Sequence, residues 1–74
     1  MDKKTYNTKI GILLKKIREE NGLTQVDVSA LMNINPQNVS SYERGERCPS
    51  LFWILRFCEA SKFDVLLFYV RLHK

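Results

Sequence analysis

The stretch from Thr24 to Gly45, TQVDVSALMNINPQNVSSYERG, packs start and stop signals for two short helices around one tight turn. Thr24 is suited to cap a helix, and Asp27 three positions later can return the hydrogen bond, a capping box with Asp where Glu is usual. A helix therefore starts at Gln25. Its apolar residues Val28, Leu31 and Met32 recur at three-four spacing and predict one buried stripe, while small Ser29 lets another helix approach closely. Asn33 tolerates the left-handed conformation that ends helices, and Ile34 plugs the turn. Asn35 and Pro36 then form a cap and first-turn pair, because proline lacks only an N–H that the first turn leaves unbonded. The next helix starts at Pro36.

In that third helix of the chain Val39 and Tyr42 are the inward candidates, and Gln37, Asn38, Ser41 and Arg44 lie on other faces. Asn and Gln can hydrogen-bond base edges in a major groove, Ser can donate or accept there, and Arg can hold phosphate or guanine. The same pattern also fits an ordinary solvated helix face.

The flanking segments read as scaffold. Met1 to Thr8, with Asp2, Lys3, Lys4 and Asn7, has no apolar period and predicts a short flexible arm over residues 1–8. A first helix is expected from Thr8 to Asn21, with Ile10, Leu13, Leu14 and Ile17 on its buried face and Gly22 supplying the positive φ of its C-cap. After the third helix, Arg44 to Pro49 makes a loop in which Arg47 adds a second basic group. Ser50 caps a fourth helix whose core stripe is expected at Leu51, Ile54, Leu55 and Cys58, bordered by Phe57. Asp64 caps a fifth, over residues 64–73, in a segment that is apolar nearly all round. Val65, Phe68, Tyr69 and Leu72 form one of its faces, and Leu66, Leu67 and Val70 another. One face can close the core. The second has no further segment to cover it, so Phe52, Trp53, Leu66, Leu67 and Val70 are expected to form a two-fold homodimer seam. A larger core that absorbs these residues is the alternative.

Several runs together carry a family resemblance: IREENGLTQ at Ile17 to Gln25, then Val28, Leu31, the turn Asn33 to Asn35, VSSYERG at Val39 to Gly45, and PSL at Pro49 to Leu51. In these the chain resembles the helix-turn-helix regulators of the phage lambda repressor and Cro type, the Xre family, over roughly Ile10 to Val65. The resemblance implies an all-α fold, a five-helix lambda repressor-like bundle with its helix-turn-helix at 24–44. It also implies binding to double-stranded DNA and assignments for individual residues. Asn35, Pro36, Gln37, Asn38 and Ser41 would read bases, though Pro36 stands where relatives often carry glutamine. Gln25, Arg44 and Arg47 would contact phosphate, and Arg18 would pair with Glu43 as a buried lock. A surface pair is the alternative for those two.

Composition narrows the remaining choices. The chain has 74 residues, room for a single domain over 1–74, and at that length only about 60% of the unfolded surface is buried. A net charge of +4 suits a polyanionic partner. Cys48 and Cys58 have no metal-ligand spacing, so reduced thiols and no metal are expected, with a redox switch the sharper alternative. One His and scattered carboxylates assemble no nucleophile or acid/base pair, which argues against an enzyme and against any cofactor or small-molecule substrate. Apolar runs such as Val65 to Val70 fall far short of the roughly 20 residues a bilayer span needs, and a cytoplasmic location is expected. The favoured reading is a homodimeric repressor on a pseudopalindromic operator, of phage or restriction-modification controller type. The rival is an antitoxin-like module whose apolar C-terminal helix binds a partner protein.

Overall fold

Asp2 opens the first helix, its carboxylate accepting a hydrogen bond from the backbone N–H of Thr5 at 2.8 Å. In this computed structural model, which describes residues 2–73, α1 therefore spans Lys3–Glu20. This corrects the flexible arm over 1–8 and the start at Thr8; Met1 lies outside the described residues. Two features hold the extra turns. Asp2 is a good cap, and half-buried Tyr6 extends the Ile10, Leu13, Leu14, Ile17 stripe backward while its hydroxyl meets the ring of His73 at 3.3 Å. Asn21 and Gly22 stop the helix, Gly22 at φ +69°.

The next boundaries follow the side chains that make them. The Thr24 hydroxyl accepts from the Asp27 N–H and the Asp27 carboxylate from the Thr24 N–H, so α2 runs over Gln25–Met32 behind a complete capping box. Asn33 ends it at φ 54°. Asn35 then caps α3, Pro36–Glu43, by accepting from the Gln37 N–H at 2.8 Å. Ser50 caps α4, Leu51–Ala60, and Asp64 caps α5, Val65–Leu72, in the same way.

α1 lies against α3 and α5, α2 against α3 and α4, and α4 against α5. The core gathers Leu14 and Ile17 of α1, Val28 of α2, Val39 of α3, Trp53, Phe57 and Cys58 of α4, and Phe68 of α5. Among the described residues there is no strand, and the result is the all-α five-helix bundle with a helix-turn-helix.

Three packing expectations change. Leu31 is 55% exposed, so α2 buries Val28 and Ser29 and holds Met32 at the core edge. On α4 the inward residues are Trp53, Phe57 and Cys58 with Ile54 beside them, and Leu51 and Leu55 face out. Trp53, expected in a dimer seam, is only 9% exposed. Its ring stacks on Phe57 at 5.4 Å and meets Tyr42 edge-on at 5.0 Å, geometries that favour aromatic pairs beyond simple area burial. A helix apolar on most sides can turn inward in more than one phase, and the largest ring took the interior.

Candidate nucleic-acid interface

What holds α3 determines what its outer face can do. Val39 is buried, Tyr42 rests on Trp53, and the helix lies so close to α1 that a Cβ on Gly11 would stand 2.6 Å from the Glu43 carbonyl oxygen and nearer still to that of Tyr42. Glycine is what allows the contact. At the end of α3 the Glu43 carboxylate collects three donors: Arg18 Nε on Oε2 at 2.6 Å, and Arg18 Nη2 and Gln25 Nε2 on Oε1 at 3.1 and 3.0 Å. Arg18 Nη1 also donates to the Leu23 carbonyl at 2.8 Å. Both charged side chains are nearly excluded from water, so the Arg18–Glu43 pair is the buried lock rather than a surface pair. The carboxylate holds the Arg18 guanidinium above its ordinary pKa, chiefly through the hydrogen bond.

With that frame behind it, α3 turns its N-terminal residues outward. Asn35, Pro36 and Gln37 are exposed, while Asn38 and Ser41 are half-buried along the same helix. Asn35 is partly committed as the cap, its Oδ1 holding the Gln37 N–H. Gln25, expected to bind phosphate through its side chain, instead donates that side-chain N–H to Glu43. Of the backbone N–H groups opening α2, that of Asp27 is taken by the Thr24 hydroxyl, so those of Gln25 and Val26 are what remain there for an anion.

The two loop arginines are not simple point charges. Arg44 donates from Nε and Nη2 to the two Glu46 carboxylate oxygens, each at 3.0 Å, and from Nη1 to the Ser40 hydroxyl. That pairing holds the Glu46 carboxyl below the usual carboxylate range and the Arg44 guanidinium above its own. Arg47 Nη1 donates to Asn38 Oδ1 at 2.9 Å. Sequence reasoning missed Glu46, Ser40 and Gly11. The only advance signal was a glycine inside a helical pattern, which costs stability unless packing requires it.

Away from this end, Phe52 is 69% and Leu66 73% exposed, and Leu67 and Val70 also face outward. Cys48 is exposed and Cys58 buried, where desolvation pushes its thiol pKa up. Among the described residues no three His, Cys, Asp or Glu side chains gather into a metal-sized group, and no helix is long and apolar enough to cross a membrane.

The family model described as helix-turn-helix matches residues 14–60. Among solved structures, the restriction-modification controller protein C.AhdI from Aeromonas hydrophila is 31% identical, with a TM-score of 0.73 over 78% of this chain and 88% of that one. The wild-type restriction-modification controller protein C.Esp1396I is 25% identical, with a TM-score of 0.80 over 90% of this chain and 87% of that one. The clp gene regulator ClgR from C. glutamicum is similar in fold, at 20% identity and a TM-score of 0.85 over 92% of this chain and 88% of that one. No curated protein sequence matches the chain significantly.

Proposed function

The chain belongs to the Xre/Cro-CI-type helix-turn-helix family of DNA-binding transcription regulators, and from that premise we propose that it acts as a homodimeric repressor on a pseudopalindromic operator. The observation that carries the reading is the start of α3, where Asn35, Pro36 and Gln37 stand exposed on a helix whose other side is locked to α1 and α2. Two copies of α3 then enter successive major grooves about 34 Å apart. Gln37, Asn38 and Ser41 choose bases, with Asn35 and Pro36 shaping the approach. The α2 N-terminus beside Gln25, together with Arg44 and Arg47 in the loop that follows α3, meets the backbone.

The subunits join through Phe52 of α4 and Leu66, Leu67 and Val70 of α5, apolar side chains left outside a core that is already filled. Likeness to two restriction-modification controller proteins supports a controller of that kind, with a phage-type repressor the nearest variant. Such a protein works where its DNA is, in the cytoplasm. Selection from a randomised duplex pool at low ionic strength tests the proposal. Enrichment of a half-site repeated with two-fold symmetry is expected, with affinity falling steeply as salt rises. Retention of no duplex, or enrichment of a single unrepeated site, would overturn it.

A further inference from the structure

The geometry points to Arg47 as a positioning residue for base choice: its guanidinium clamps the side-chain amide of Asn38 and fixes which end of that amide faces the duplex. The inference rests on the DNA-binding reading above and goes beyond the phosphate role expected for Arg47. Asn38 lies in the first half of α3, about 7 to 8 Å along the helix axis from its C-terminal end, and the turn after the helix together with the long Arg47 side chain spans that distance. The turn contains Gly45, whose φ of +74° suits glycine and where an added Cβ would stand 3.0 Å from the Thr8 Cα. The neighbouring carboxylate does not compete. Glu46 is held in a two-point contact by Arg44, which leaves Arg47 to Asn38.

The chemistry of the contact settles the orientation of the amide. A guanidinium has donors and no acceptor, so the atom of Asn38 that meets Arg47 is the oxygen, and the NH2 group is the end left for bases. An NH2 group donates to guanine N7 and O6, adenine N7 or thymine O4, but confronts the N4 amino group of cytosine donor to donor. Cytosine is therefore the base rejected at the position Asn38 reads. An unclamped asparagine, able to swing, would read adenine through both of its ends.

Site selection with the full chain and the variants Asn38→Ala, Arg47→Ala and Asn38→Asp tests the clamp. The unaltered protein should disfavour cytosine about tenfold at one base pair of each half-site. Asn38→Ala should erase that preference, Arg47→Ala should replace it at the same base pair with a preference for adenine, and the double variant should behave as Asn38→Ala alone. Asn38→Asp keeps Arg47 engaged but replaces donors by acceptors, and should turn the preference toward cytosine. In the protein without DNA, Arg47→Ala should also move the side-chain amide resonances of Asn38, a readout independent of affinity. If Arg47→Ala instead weakens every sequence by the same factor, reduces the salt slope by about 1 and leaves those resonances in place, Arg47 is a phosphate contact alone and the clamp is wrong. Failure of the unaltered protein to retain any duplex would overturn the DNA-binding reading and the clamp with it.

Discussion

Around Glu43 the molecule is closed upon itself, with Arg18 of α1 and Gln25 of α2 both donating to a carboxylate at the end of α3, whereas along α4 and α5 large apolar side chains stand in water. The first region satisfies every strong polar group it buries. The second leaves Leu66 and Val70 facing outward, and Phe52 with the Arg56 guanidinium 5.9 Å from its ring centroid. A chain this small cannot bury everything it carries, and the contrast shows which end is fastened by buried polar contacts and which leaves apolar surface exposed.

The comparison can be broken hardest at the lock. Arg18→Ala leaves Glu43 buried without its charge partner and should cost about 3 to 5 kcal/mol in urea unfolding, a large part of the stability of a domain this size. A loss under about 1 kcal/mol would mean the pair behaves as a surface bridge and the two regions are not so different. Gly11→Ala should cost about 1 to 3 kcal/mol, because the added methyl meets backbone of α3 that cannot rotate away.

Thr24→Ala removes half of the α2 capping box and should cost about 1 kcal/mol. That box also has a pH signature. The Thr24 N–H holds the Asp27 carboxyl below its ordinary pKa, so its contribution is complete above the ordinary carboxylate value and fades as pH falls through the lowered one. Acid titration of Asp27 followed by NMR checks the direction. Smallest in fold stability is Leu66→Lys, expected to change monomer unfolding by no more than about 0.5 kcal/mol while abolishing self-association in sedimentation at micromolar concentration. A dimer that survives Leu66→Lys would move the seam elsewhere.

The helix-turn-helix was legible because its boundaries are written in local chemistry. Thr24 with Asp27, Asn33 before the turn, and Asn35 with Pro36 each act within a few residues, and each stands where the spacing put it. The start of α1 was missed because Asp2 and Tyr6 look like any polar tail until the contact of Tyr6 with His73 comes in from the far end of the sequence. The phase of α4 was missed for a related reason. In LFWILRFC almost any face is apolar, so periodicity does not choose, and the choice fell to Tyr42 and Phe57 offering ring surfaces to Trp53. At the candidate interface the sequence named which side chains stand near α3. It did not sort their pairings, since Gln25 with Glu43 and Arg47 with Asn38 span 18 and 9 positions and depend on how the helices cross.

One carboxylate that fastens three helices has a consequence for how such a protein changes its address. Pro36, Gln37 and Ser41 contribute no side-chain hydrogen bond to that fastening, so their identities can be exchanged without loosening the body that carries them. Asn35 and Asn38 are less interchangeable, one because it begins the helix and the other because an arginine grips it. Under the base-reading role proposed for α3, new operators are then within reach through three positions, while the architecture that presents them stays as it is.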